Sequence, residues 1–228
     1  PIEALNIPVV YLDFETPEQY PRDLAILGQI FGNDARAQEL IQLYQGAVDE
    51  INQKVPAAAA KPNVLVLQYS DKEGAVAFDV PPTSWMQTRM VELAGGSPVW
   101  KEANLGSGWA QVTIEQVAAW DPDVILIISY DQNPSDVTAM LKQDPQWQLL
   151  RAVKDGKLYG FPKDIYSWDQ PDTRWLLGLK WLASLLHPDE FGQVDALQSA
   201  REFYQFAYGV DAASYDAIIL PVTQGDID

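Results

Sequence analysis

The sequence predicts an α/β protein, with a three-layer domain in which helices flank a mostly parallel sheet. Two near-continuous apolar runs, at 63–69 and 124–128, are typical of strands that are buried on both faces of a parallel sheet. Segments with helical spacing lie between and after these runs, and this alternation predicts right-handed βαβ units. A long helix at 34–55 precedes the first of the two strands.

The long helix is predicted from the spacing of its apolar residues, which form one narrow buried face. Its other faces are polar, so most of its circumference is expected to contact water. Roughly 22 residues at about 1.5 Å each make a rod of about 33 Å, the width of a small domain. Only one strand-like run, at 7–12, precedes it. Two interpretations are open: a bridge between two lobes, one of them mostly missing, or an ordinary peripheral helix.

The remaining elements are predicted from apolar spacing, capping residues, and the Gly and Pro residues at their ends. Strands are predicted at 7–12 and 157–161, besides the two buried runs. Helices are predicted at 22–31, 85–94, 133–143, 144–150, 171–186 and 194–208, with a short one capped by Thr113 and Gln116. A linker at 56–62 and a polar loop at 70–84 lie between them. The tail after Gly209 is expected to be helical to about residue 220 and loose beyond it.

The composition limits the classes of partner and of site. There are 32 acidic and 15 basic residues, and the net charge of −17 repels phosphate backbones and anionic membranes, so nucleic acid is excluded as a partner. Cysteine is absent, which excludes disulfides and thiolate metal sites. No apolar run reaches the about 18 residues of a membrane-spanning helix. The chain begins at Pro1, so we expect it to be processed or cut from a longer protein.

Few residues have the pattern of a catalytic or metal site. His187 is the only histidine and stands at a predicted helix end, where an imidazolium favours the helix dipole. One His and no Cys leave no nucleophile–His system and no imidazole cluster for a metal. Asp121 and Asp123 could serve a hydrolase or transferase that uses carboxylates, but Asp-Pro-Asp before a strand is more typical of a helix stop. We therefore predict no enzyme, no cofactor and no metal site, with that carboxylate enzyme as the alternative.

Aromatic residues stand where the predicted strands end. In an open α/β sheet, ligands bind outside the carboxyl ends of the strands. Rings on loops there offer a flat and rigid surface to a large ligand, although any one ring can instead pack the domain edge. The candidate ligand-binding residues are Tyr69, Trp109, Tyr130, Tyr166 and Trp168. We expect at least three of them to line one exposed concave face.

Several stretches resemble one family in their order and spacing. They are 108–115 (GWAQVTIE), 120–127 (WDPDVILI), 150–159 (LRAVKDGKLY), 167–174 (SWDQPDTR), 177–183 (LGLKWLA) and 186–191 (LHPDEF). Together they are similar to substrate-binding proteins of ABC importers for iron-siderophore, haem and vitamin B12, the class with a rigid helix between two lobes. The resemblance covers the chain from about residue 7 to about residue 208.

The resemblance implies a division of the chain in which most of a first lobe is absent. Residues 1–33 would be a remnant of the N-terminal lobe, and 34–56 would be the interlobe helix. Residues 57–188 would form the C-terminal α/β lobe, and 189–228 the C-terminal helices and tail. The run at 7–12 would then lack its neighbouring strands. An unpaired strand invites pairing with another chain, so a homodimer is expected.

The resemblance also implies a function and a partner. The chain would be the extracytoplasmic component, periplasmic or lipid-anchored, that captures an iron-siderophore, haem or corrinoid chelate and delivers it to a permease. The dispersed arginines suit a neutral hydroxamate complex, a corrinoid or haem better than an anionic catecholate. In the family, an acid on the top of each lobe pairs with permease arginines. Asp169, after Trp168 and five residues before Arg174, matches that acid, and Asp172 is the alternative.

Overall fold

The computed structural model describes residues 2–5, 7–55, 60–192 and 194–227. The helices are α1 (Gln19–Phe31), α2 (Asp34–Lys54), α3 (Met86–Leu93), α4 (Ile114–Trp120), α5 (Pro134–Leu141), α6 (Arg151–Lys154), α7 (Trp175–Leu186), α8 (Pro188–Phe191), α9 (Ala196–Tyr208) and α10 (Ala212–Ser214). The strands are β1 (Asn63–Lys72), β2 (Ala75–Val80), β3 (Ser97–Pro98), β4 (Ala110–Val112), β5 (Val124–Ile128) and β6 (Leu158–Gly160). Most of the predicted linker, residues 56–59, lies outside the described residues.

The α/β architecture is confirmed, with one six-stranded sheet in the order β4-β2-β1-β5-β6 and β3 paired with β1. Strand β1 is parallel to β5, with Val64 opposite Val124, and β5 is parallel to β6. Both central strands are buried along their apolar runs, as expected for strands covered on two faces. The sheet is mixed because β2 runs antiparallel to both β1 and β4.

The hairpin of β1 and β2 replaces part of the loop that was predicted at 70–84. Strand β1 continues to Lys72, and the chain turns at Glu73 and Gly74, which have φ values of 56° and 87°. Two consecutive left-handed residues match the twist of a two-residue hairpin turn. The side chain of Asp71 accepts a hydrogen bond from the Gly74 N–H over 2.8 Å and stabilises this turn. The sequence did not reveal the turn because Glu rarely occupies a left-handed position.

The predicted strand at 7–12 is wrong. These residues belong to no strand of the described sheet, and Ile7, Val10 and Tyr11 are more than half exposed. The chain is instead fixed just after them, where the buried carboxylate of Asp23 accepts hydrogen bonds from the N–H groups of residues 13 and 14 over 2.9 and 3.0 Å. Nothing in the structure supports the homodimer that was inferred from this segment.

The long helix is confirmed as α2, and the rest of the chain holds it firmly. Its N-cap is Asn33 rather than Asp34, since the Asn33 side chain accepts from the Arg36 N–H. On its buried face the ring of Tyr44 stacks on Trp175 at 5.2 Å, and the Tyr44 hydroxyl donates to the Thr173 carbonyl over 2.8 Å. These contacts join α2 directly to the start of α7.

The C-terminal tail is fixed to the sheet edge rather than loose. Gln224 pairs with Lys163 through two backbone hydrogen bonds of 2.8 and 3.0 Å. The carboxylate of Asp226 accepts from the Gly160 N–H over 2.9 Å and from the Ser135 hydroxyl over 2.8 Å.

The predicted helix at 171–186 begins later than expected, at Trp175, because the preceding residues extend the loop after β6.

Candidate functional site

A cavity of ≈ 240 Å³ lies where the ends of several elements meet. Tyr130 reaches it from the carboxyl end of β5, and Trp109 reaches it from the residue before β4. The N-terminal end of α3, the loop before α7 and the segment before α1 complete its wall. Its lining residues are Glu15, Trp85, Met86, Gln87, Trp109, Tyr130, Gln170 and Pro171.

Two tryptophans form the aromatic wall of the cavity. The rings of Trp85 and Trp109 meet edge to face, with centroids 5.6 Å apart and planes at 88°. Trp85 is the residue before α3, in extended conformation. Trp109 is held in place through Asn104, whose side-chain amide donates to the carbonyls of Val80 and Gly108 over 2.9 and 3.0 Å. A half-buried pair of this kind leaves apolar ring surface available to a ligand.

A buried carboxylate lies beneath the polar floor, which Gln87 and Tyr130 form. Asp169 Oδ2 accepts from Gln87 Nε2 over 2.8 Å and from the Tyr130 hydroxyl over 3.0 Å. Burial raises the pKa of Asp169, and it also raises the pKa of Tyr130, with the nearby Asp169 charge as a second cause. Asp169 therefore fixes two side chains that line the cavity.

The expected docking role of Asp169 is wrong in this structure, because the residue is wholly buried. The loop turns inward here, since the Trp168 N–H donates to the Pro162 carbonyl over 3.0 Å. Asp172, the alternative, is occupied: its carboxylate contacts the Arg174 guanidinium and accepts from the Arg174 N–H over 2.7 Å. Neither acid is presented to a partner.

Two of the five predicted ligand-binding residues, Trp109 and Tyr130, line the cavity, so the expected three are not brought together. Trp168 is buried, and its indole N–H donates to Asp164 over 3.0 Å. Tyr69 is buried beside Phe78, with ring centroids 5.7 Å apart. Tyr166 is 56% exposed but lies outside the cavity, where its ring contacts the Arg174 guanidinium at 5.0 Å.

Four polar or aromatic residues that line the cavity were not predicted from the sequence, namely Glu15, Trp85, Gln87 and Gln170. The available signal was the Pro81–Pro82 pair before Trp85, which marks the end of a strand and the start of a helix. That signal was hidden because β2 was taken as part of a loop.

No Lys or Arg is among the described residues that line the cavity. Arg89, two residues after Gln87, forms ion pairs with Glu18 and Glu92. The ammonium of Lys163, which is not a lining residue, donates to the carbonyl of Tyr130 over 2.7 Å, and burial lowers the pKa of this lysine. The cavity therefore offers aromatic faces and amide groups without a cation.

The other candidate groups are structural. Arg151 binds Asp121 at 3.0 Å and Asp123 at 2.8 Å, so these carboxylates hold the chain around β5. His187 is buried at the end of α7 with its ring against Gly95. Across the described part of the chain, no group of three or more His, Cys, Asp or Glu residues is placed to hold a metal ion. Within the same residues, no helix has the length and apolarity needed to cross a membrane.

The described residues thus form an α/β fold with a cavity where several of its elements end. The chain belongs to the periplasmic binding protein family, whose sequence profile matches residues 2–165. Members of this family act outside the cytoplasm.

Three relatives show the range of the family. The molybdate-binding protein MolA of Haemophilus influenzae is 36% identical over 120 residues, which cover 52% of this chain and 33% of MolA. The high-affinity heme uptake system protein IsdE of Staphylococcus aureus is 26% identical over 161 residues, covering 69% of this chain and 53% of IsdE. A periplasmic solute binding protein of Veillonella parvula has a solved structure that matches with a TM-score of 0.73 and 26% identity, covering 97% of this chain and 66% of that one. The chain thus spans a third to about half of the length of these curated relatives.

Proposed function

We propose that the chain forms part of the extracytoplasmic substrate-binding component of an ABC importer, which captures a metal chelate and delivers it to a permease. The chelate would be an iron-siderophore, haem or corrinoid complex. The observation that carries the proposal is the cavity walled by Trp85 and Trp109 and floored by Tyr130 and Gln87. No reaction is part of this function.

The wall favours an organic chelate because such a ligand presents flat or apolar faces to aromatic rings. Molybdate is a second candidate, supported by the 36% identity to a protein named for binding it. A small oxyanion, however, needs dense hydrogen-bond donors or cations, and the described lining contains neither Lys nor Arg. The chelate is therefore the better fit.

The size of the cavity supports a two-walled site. Pockets that bury most of a drug-sized ligand have volumes of about 300–1,000 Å³, and this cavity has ≈ 240 Å³. Only part of a siderophore, haem or corrinoid would enter it. We propose that residues 1–33 belong to a first lobe, 34–56 to an interlobe helix and 57–188 to a second lobe, so that the full site needs surface from both lobes. The chain by itself would then bind a chelate weakly.

The permease remains part of the proposal without an assigned contact residue, since Asp169 and Asp172 are both engaged within the chain. A homodimer is not part of it.

Tryptophan fluorescence titration with a ferric trihydroxamate, haem, cobalamin and molybdate tests the proposal. We expect a saturable change with at least one chelate. Trp109→Ala should weaken binding roughly tenfold or more, the cost of removing a central aromatic anchor. Tyr166→Ala is the matched control, because it removes an exposed ring outside the cavity. Saturable binding of molybdate alone, or equal losses in the two variants, would contradict the proposal.

A further inference from the structure

The floor of the cavity contains acceptors that lack donors. Gln87 is 5% exposed and lines the cavity. Its Nε2 is committed to Asp169, which leaves Oε1 as a buried acceptor without a hydrogen-bond partner in the described part of the chain. Asp169 Oδ1 is in the same condition. Buried polar atoms are rarely left unpaired in folded proteins, so each needs an explanation.

Among the described residues that line the cavity, the one charged residue is the acid Glu15. Asp169 lies beneath the floor, and the Lys163 ammonium outside the lining is engaged with the Tyr130 carbonyl. An anionic group that entered would face the unpaired oxygen of Gln87 and two carboxyl groups. It would lose its hydration and meet no cation among the described lining residues, which is costly in a partly buried site. A neutral or cationic group that carries an N–H or O–H would meet an acceptor instead.

From this arrangement we infer that the cavity selects an uncharged or cationic part of the ligand that bears a hydrogen-bond donor, and that Gln87 Oε1 accepts from that donor. Amide-bearing neutral chelates fit this class, and oxyanions and anionic tricatecholates do not. Oε1 is covered in the unliganded chain. The donor therefore reaches it when the side chain of Gln87 rotates slightly toward the cavity. The inference rests on the proposed function and narrows it.

The test combines one pair of ligands that differ in N-methylation with two anionic probes. The probes are a neutral ferric trihydroxamate with secondary amide N–H groups, its N-methylated derivative, an anionic ferric tricatecholate, and molybdate. We expect the neutral amide to bind best and N-methylation to weaken it roughly fivefold to tenfold, the size of one net hydrogen bond. The tricatecholate and molybdate should bind at least tenfold more weakly than the neutral amide.

Substitutions test whether Gln87, in the cavity floor, is the acceptor for the ligand's donor. Gln87→Met removes the acceptor at nearly constant volume, so it should weaken the amide ligand by a similar factor and abolish the difference caused by N-methylation. Gln143→Met, the same change at an exposed position outside the cavity, should leave all affinities unchanged. Glu15→Gln should weaken a cationic trihydroxamate about threefold more than it weakens the neutral one at low salt. Because Gln87→Met also removes a bond to Asp169, its unfolding curve is measured to confirm that it is folded.

The outcomes separate this inference from the function on which it rests. If the anionic tricatecholate or molybdate binds as tightly as the neutral amide, the inference is overturned and a binding function remains. The same holds if N-methylation has no effect in the wild-type chain. If none of the four probes binds, both the inference and the proposed chelate capture are overturned.

Discussion

Replacing Asp169 with Ala should destabilise the fold, which is opposite to the effect expected of a docking residue. The carboxylate is wholly buried and accepts from Gln87 Nε2 and from the Tyr130 hydroxyl over 2.8 and 3.0 Å. Ala removes the acceptor and leaves both donors buried without a partner. Each such donor costs about 1–3 kcal/mol.

The net loss in the free energy of unfolding is about 2–5 kcal/mol, since the variant also escapes the cost of burying a carboxylate. For a chain of this length, that corresponds to a fall in Tm of roughly 5–15 °C. Asp169→Asn is the control, because the side-chain oxygen can still accept and the volume is unchanged. It should cost less than about 1 kcal/mol.

Urea unfolding followed by circular dichroism measures these values. The pH dependence adds a second readout: burial raises the pKa of Asp169, so the folded state holds this proton more tightly than the unfolded state. Stability from this residue therefore falls as pH rises above the ordinary carboxyl range, and Asp169→Asn should lose that slope. If Asp169→Ala unfolds within about 0.5 kcal/mol of the wild type, a range typical of surface substitutions, the residue is exposed in solution and the buried floor is wrong.

Two further predictions concern residues outside the cavity that stabilise the fold. The hydrogen bond from Arg22 holds the pKa of Asp23 at about 2, so the stability that Asp23 contributes is complete above about pH 4 and is lost as pH falls toward 2. Asp23→Asn should remove about 1–2 kcal/mol of that acid-sensitive stability in urea titrations at pH 2–6. An unchanged pH profile would contradict the contact between Arg22 and Asp23. Gly178→Ala places a Cβ in steric conflict with the Trp168 carbonyl oxygen and should cost about 1–3 kcal/mol. Gly46→Ala, in open space on a helix, should instead stabilise by about 0.5–1 kcal/mol, and the same sign in both thermal melts would contradict the packing.

Much of the fold could be predicted because burial leaves a continuous signal in the sequence. Strands β1 and β5 are apolar along their length since both faces are covered, and α2 keeps one apolar face over its whole length. The segment at 7–12 has the same composition as a buried strand but belongs to no strand of the described sheet. Local composition does not show whether a segment joins a sheet, so this prediction was wrong.

The site was harder to predict because it depends on which way loop side chains face. Trp168 and Asp169 follow β6 at the expected place, but the backbone bond from Trp168 to Pro162 turns them into the core. Trp85 was overlooked because its position at the strand ends depends on β2, whose Glu73–Gly74 turn has no strong sequence signal. Tyr130 was found because it lies two residues after the predicted strand β5, and Trp109 because its loop was expected to reach the same edge.

Crystals of the protein soaked with a neutral ferric trihydroxamate would show, in an anomalous iron map, whether a chelate binds at the tryptophan-walled cavity. We expect an iron peak beside Trp85 and Trp109, with a ligand donor directed at Gln87. The main alternative is the larger groove of ≈ 490 Å³ between α1, α2 and α7, lined by Pro21, Tyr44 and Trp175 among others. An iron peak in that groove, with the tryptophan-walled cavity empty, would contradict the account.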